Sequence, residues 1–235
     1  MMLSGQEAHP VLDRRTFIGA VLAGGGLVAA GHARAMAVEN PAAGRLAFDI
    51  RRDGASIGAH QVSFRRAGDD LLVDIEVDIV VSFAFIPVFA YRHWNRETWR
   101  GGRLIALDSE TDDDGRHYAV SARASEGGLR VTGSEGDLLV PPDILPTSYW
   151  NARTVQQTRL LDSQQGRLLE VKPKLVGEAA LDSNVMARHY RISGDLDLDL
   201  WYSPSGEWLK TAFQARGAAV SYARLDRGVK AGSAG

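Results

Sequence analysis

Four histidines stand in the body of the chain: His60, His93, His117 and His189. Imidazole changes charge near neutral pH and is the commonest metal ligand. No two of the four lie at His-x-x-x-His or His-x-His spacing, so no metal is assigned. Lone strand histidines are more often hydrogen-bonded core or surface residues. His93 and Glu97 would share one face of an extended segment, but four strand residues span about 13 Å. That is too far for direct proton transfer, so they form no ready acid–base pair. Ser148 sits in no Gly-x-Ser-x-Gly turn, which leaves a nucleophile elbow unsupported. Asp112-Asp113-Asp114-Gly115 lacks the spaced ligands and closing Glu of a calcium loop and reads as a solvated hairpin turn. The absence of cysteine excludes disulfides, thiolate zinc, iron–sulfur clusters and a Cys nucleophile. The sequence thus points to no catalytic residue, metal or cofactor.

Grip is better represented than catalysis. Ile79 to Ala90 is apolar on both faces for about twelve residues, too short to span a bilayer. Pro87 within it cannot donate to a strand ladder and marks a bend, bulge or edge. Either the segment is buried on both sides, or Phe83, Phe85 and Phe89 line the mouth of an apolar cavity or touch a lipid surface. Tyr91, Trp94 and Trp99 follow it, and Tyr149 and Trp150 come later. Parity puts Tyr91, His93, Asn95, Glu97 and Trp99 on one face, with Arg92, Trp94, Arg96 and Thr98 on the other. Both faces mix aromatic and charged groups. A cavity wall has that composition, with apolar area for grip and a few polar groups for orientation. Amphipathic packing of Trp and Tyr with wet polar tips would have it too. These eight aromatics, Phe83 to Trp150, are the candidate ligand-binding residues.

Strands must position them. Val73, Ile75, Val77, Ile79 and Val81 alternate with Asp74, Glu76 and Asp78, and Leu196, Leu198, Leu200 and Tyr202 alternate with Asp195, Asp197 and Asp199. Alternation between short polar turns means antiparallel strands with one buried and one wet face. Strands are expected near 45–52, 56–66, 70–82, 88–100, 103–111, 116–125, 129–133, 167–176, 185–194, 196–202, 207–217 and 219–226. Hairpin-length connections make sequential neighbours pair. The expected fold is all-β, an antiparallel up-and-down meander curled into a barrel or half-barrel. The one interruption, Pro141-Pro142-Asp143 onward, reads as a short helical plug over 143–160 that covers one opening.

Of the 235 residues, 45% are hydrophobic and 24% charged, which excludes a disordered or low-complexity chain. A net charge of −2 provides no basic excess to hold nucleic acid. Asp13-Arg14-Arg15-Thr16-Phe17-Ile18 opens a mildly apolar stretch that ends in Ala33-Arg34-Ala35 and Ala35-Met36-Ala37. Paired arginines, a short apolar region and a small-residue cleavage site read as a twin-arginine signal peptide over 1–35. Cleavage after Ala37 is the alternative. Residues 36–230 then form one β-barrel-like domain, 231–235 a disordered tail, and the location is the periplasm.

The chain resembles a family of exported bacterial β-domains of unknown function. The likeness rests on Phe48-Asp49-Ile50 with Asp53-Gly54 and Ile57-Gly58, on Trp99 with Gly102 and Leu104 to Ser109, and on Pro146 to Asn151. It continues through Leu161-Asp162-Ser163 with Gly166, Tyr190 to Gly194, Leu200-Trp201-Tyr202, Gly206 and Leu209-Lys210. It spans roughly residues 44–226 and implies a periplasmic, mostly β protein without supplying catalytic residues. A more distant architectural likeness is to lipoprotein-carrier half-barrels, open curled sheets that hold acyl chains.

The leading expectation is a periplasmic protein that binds an apolar or amphipathic small molecule, a lipid among them, in a curled-sheet cavity. One alternative is a cofactor-free enzyme of the same architecture. The other is an accessory protein that makes a transient membrane or protein contact through 79–90.

Overall fold

The structure is a computed structural model and describes residues 44–181 and 185–225. The leader read over 1–35 and the tail at 231–235 lie outside the described residues.

Alternation sets the fold strand by strand. In the strand Asp70–Phe83, Val73, Ile75 and Val77 are buried while Glu76 and Asp78 are exposed. The next strand places arginine opposite aspartate. Arg100–Asp70 and Arg96–Asp74 are ion pairs of 2.6 Å, and Arg92–Asp78 is one of 3.4 Å. Exposed pairs each contribute little stability. Their value here is registry, because a one-residue slip would unpair all three and turn the buried face to water.

The strands β1 (Gly44–Arg52), β2 (Ala55–Ala67), β3 (Asp70–Phe83), β4 (Ile86–Arg100), β5 (Arg103–Asp113), β6 (Arg116–Ser125), β7 (Gly128–Gly133) and β8 (Gly136–Val140) follow one another through tight turns. Then come the short β9 (Leu145–Pro146) and β10 (Arg159–Leu161). The rest are β11 (Leu168–Leu181), β12 (Val185–Gly194), β13 (Leu198–Tyr202), β14 (Trp208–Ala215) and β15 (Ala218–Arg224). All fifteen form one sheet in the order β8-β7-β6-β5-β4-β3-β2-β1-β15-β14-β13-β12-β11-β10-β9. Every pairing is antiparallel except that of β9 with β10. The all-β meander expected from the sequence is therefore the observed fold.

The sheet curls until its two free edges come close, but no ladder joins β8 to β9. The gap is bridged at one end, where the Ser134 amide donates to Gln165 O at 2.9 Å. A Cβ at Gly133 would stand 2.4 Å from Gln165 O, and one at Gly166 would stand 2.8 Å from Gly133 Cα. Only glycine lets these two backbones approach so closely. Phe48, Phe64, Leu107, Leu129, Leu160 and Trp208, drawn from all round the sheet, share one buried cluster.

Between β8 and β11 the chain turns Ile144, Leu145, Trp150, Ala152, Leu160 and Leu161 into the buried cluster of the curl, while Pro142, Asp143 and Arg159 stay exposed. The helix expected over 143–160 is reduced to one 3-10 turn, Ala152–Gln156, capped by Asn151, whose side chain accepts from the Arg153 amide at 3.1 Å. Pro141, Pro142 and Pro146 withhold amide donors from any longer helix. Side chains also anchor the segment to opposite walls. Trp150 packs edge-on against Trp99 and Phe64, with ring centroids 5.2 and 5.4 Å apart. The Tyr202 hydroxyl donates to Tyr149 O at 2.7 Å. The segment blocks the end of the curl that carries the Gly101–Gly102 turn, where Arg153 Nη2 donates to Gly102 O at 3.0 Å.

Candidate functional site

The interior divides into two halves. At the Gly101–Gly102 end the space is filled. Glu97, fully buried, accepts from the indole N–H groups of Trp99 and Trp150 at 2.8 and 2.9 Å and from Asn95 Nδ2 at 3.0 Å. Ser148 bonds it as well. Burial pushes the Glu97 carboxyl above its ordinary range, against the pull of these donors. The arrangement ties the inner segment to β4 and leaves no lone pair poised for proton transfer.

Towards the other end, the one carrying the β3–β4 hairpin, lies a cavity of about 190 Å³. Ile75, Val77, Ile79, Phe89, Leu169 and Phe213 supply apolar wall. Thr147, Ser148 and Tyr149 of the inner segment also line it. Polar groups converge on the same space. The Tyr91 hydroxyl donates to Gln164 Oε1 at 2.9 Å, and His93 Nδ1 bonds Thr111 Oγ1 at 2.8 Å. Asp162 accepts from the Gln164 amide at 2.9 Å and pairs with Arg167 at 3.5 Å. Asp197 is paired with Arg191.

Three buried groups facing this cavity keep polar atoms that no protein group satisfies: both ring nitrogens of His60, Asn95 Oδ1 and Gln164 Nε2. His60 is 5% exposed and is ringed edge-on by Trp208, Tyr222 and Phe48 at centroid distances of 5.1, 5.6 and 6.1 Å. Burial, with a smaller push from His93, lowers its pKa to about 3, so the imidazole is neutral. Leaving a buried donor or acceptor unsatisfied costs about 1–3 kcal/mol, so such groups mark places where a partner belongs.

Of the eight aromatics expected at a site, three come together here: Phe89, Tyr91 and Tyr149 all line the cavity. Trp99 and Trp150 stand around Glu97 in the filled half. Trp94 points to the outer face, with the Arg96 guanidinium 5.2 Å from its ring. Phe83 and Phe85 sit on the β3–β4 tip and are 76% and 101% exposed. Burial of 79–90 on both sides is thus overturned, since this hairpin runs past the barrel wall. Its two-residue turn is Ala84–Phe85, both at positive φ (47° and 68°), where glycine or asparagine is usual.

Sequence reasoning took His60 for a lone strand histidine and Asp113 for part of a solvated turn, and it did not name Gln164 as a candidate. Asp113, expected in a solvated turn, is 7% exposed and lines the cavity. Only its neighbours serve the turn: Asp112 accepts from the Gly115 amide at 2.7 Å, and Asp114 takes the positive φ. Parity could have found these residues. His60 falls on the face of Val62 and Phe64, and Asp113 on that of Leu107, Ser109 and Thr111. A polar side chain on a core face is the informative exception.

The remaining histidines lie elsewhere. His189 bonds Asp199 at 2.6 Å and stacks on Trp201 at 4.3 Å, and His117 is exposed. Neither meets Glu97, and Asp108 and Arg96 are paired with Arg123 and Asp74. Among the described residues, no three His, Asp or Glu side chains converge to hold a metal ion.

A family model described as a domain of unknown function, DUF6134, matches residues 48–225. The chain belongs to this family. The family resemblance seen in the sequence is thereby confirmed as to a β-domain of unknown function. Compared with curated proteins, the DUF6134 chain matches none. Among solved structures it is similar to a β-barrel-like protein of another domain of unknown function, DUF1849, from Brucella abortus. That similarity has a TM-score of 0.57 and 12% identity and covers 77% of this chain and 95% of that one. At that identity the likeness speaks for the fold alone.

Proposed function

We propose that this DUF6134 protein binds an apolar or amphipathic small molecule in the cavity between β3–β4 and β14–β15, without chemistry of its own. The observation behind this reading is the unsatisfied buried polar atoms of His60, Asn95 and Gln164, which face the same space as the apolar side chains of Ile75, Val77, Ile79, Phe89, Leu169 and Phe213. A core selected only for stability would have buried apolar side chains there. The space equals about six waters' share of liquid volume, so a whole two-chain lipid does not fit, though the end of one acyl chain does. The β3–β4 tip, with Phe83, Phe85 and Ile86 exposed, stands at the end of the barrel towards which the cavity lies. It supplies an apolar contact through which a guest or a membrane surface is met. Export to the periplasm, read from Arg14-Arg15, belongs to the same proposal.

The test is native mass spectrometry of protein recovered from the periplasm of its own host, paired with a thermal-shift screen of small amphiphiles. Co-purified guest, or shifts that vanish on filling the cavity with Val77→Phe, support the reading. No guest and no shift for any compound sinks it. Absence from the periplasm, or export unchanged by replacing Arg14 and Arg15 with lysine, removes the localisation part.

A further inference from the structure

We propose that the cavity selects an uncharged guest: one ring, or about six carbons, carrying a hydroxyl or carboxamide whose polar end seats on His60. This rests on reading the cavity as a binding site, and it adds the size, the charge and the anchor.

Size comes first. An apolar cavity of about 150 Å³ admits benzene, and this one is about 190 Å³. One ring with a substituent, or a short alkyl chain, fills it.

Charge follows from the wall. Among the described residues that line the space there is no lysine or arginine, whereas Asp113, Asp162 and Asp197 are there. Asp162 and Asp197 are answered by Arg167 and Arg191, which stand outside the lining. The lining therefore presents no lysine or arginine side chain, and a carboxylate or phosphate would lose its hydration with no permanent cation in the wall to replace it. A cation would find Asp162 and Asp197 already paired with Arg167 and Arg191. It would also have to sit beside a neutral imidazole, which answers no positive charge.

The anchor follows from hydrogen-bond capacity. A neutral imidazole carries one donor and one acceptor, and both ring nitrogens of His60 are buried without a protein partner. Asn95 Oδ1 adds an acceptor and Gln164 Nε2 a donor. A hydroxyl, which both donates and accepts, matches this set, and a carboxamide does too. A carboxylate accepts only, so it would leave Asn95 Oδ1 and the imidazole acceptor unanswered.

The experiment is calorimetric titration of the purified full chain at pH 7.5 with 1-hexanol, hexanoate, hexylamine and toluene. The same four are titrated into His60→Leu. The expected result is hexanol binding at least tenfold tighter than hexanoate or hexylamine. In His60→Leu, hexanol should weaken about tenfold while toluene is unchanged, which shows that the cavity itself is intact. Hexanoate or hexylamine binding as tightly as hexanol overturns the uncharged-guest inference and leaves the cavity reading standing. Hexanol affinity unchanged in His60→Leu overturns the anchor. If none of the four binds the wild type, both the inference and the reading beneath it fall.

Discussion

Glu97 and His60 are two buried ionisable side chains in one barrel, and they are treated in opposite ways. Glu97 is surrounded by donors from Asn95, Trp99, Ser148 and Trp150, and its neighbours fill the space around it. His60 has aromatic edges and a cavity but no protein partner for either nitrogen. The first arrangement spends polar groups on fixing the inner segment. The second leaves them available at the expense of stability. The contrast separates a structural half of the interior from a receptive half, although both belong to one continuous sheet.

The largest expected effect is on the structural half. Glu97→Ala orphans two indole donors and an amide donor, and should lower unfolding free energy by about 3 kcal/mol or more in urea titrations. A loss below about 1 kcal/mol would mean that those donors find other partners. Next comes pH. His60 is held near 3 when folded against 6.5 when free, so the unfolded chain binds the extra proton between those values. Its contribution is whole above pH 6.5 and is lost as pH falls towards 3, at about 1.4 kcal/mol per unit. Glu97 has the opposite sign. Its folded value lies above 4.5, so its contribution is present below pH 4.5 and declines as pH rises through the folded value. Urea midpoints from pH 4 to 8 for wild type, His60→Leu and Glu97→Gln separate the two. A wild-type curve parallel to that of His60→Leu would contradict the buried, neutral imidazole.

A smaller effect of reversed sign is expected for His60→Leu at pH 7. Removing two unsatisfied atoms should raise stability by about 1 kcal/mol, and a clear loss would show that the ring is hydrogen-bonded after all. The smallest concerns the tip. Phe85→Gly relieves a left-handed bulky residue and buries nothing less, so stability should rise by about 0.5–1 kcal/mol. A drop would place Phe85 in contacts within the fold.

Much of the architecture could be read from period-two patterning. Val73 to Val81 and Leu196 to Tyr202 each announce a strand, its buried face and, through the facing charges, its partner. The inner segment was less legible, because Pro141 to Gln164 is held by long-range anchors at Trp150 and Tyr149 rather than by local propensity. The site was half legible for a similar reason. Phe89, Tyr91 and Tyr149 stand out by type. Trp94, of the same type, faces outward by parity, while His60 and Gln164 matter only because distant strands leave space beside them. Strand alternation tells which way a side chain points but not whether a neighbour fills the place it points to.

The pairing of β1 with β15 sets an order on assembly. Phe48 lies opposite Arg224, and the Leu225 amide reaches Ala47 O at 2.9 Å. On the ribosome, hairpins from β1 to β8 can form as they emerge, but the joint between the two halves must wait for nearly the last residue described. Closure is thus a late event governed by contacts far apart in the chain, the kind that forms slowly. Truncation that removes β15 would leave β1 and β14 with exposed edges, prone to pairing between molecules.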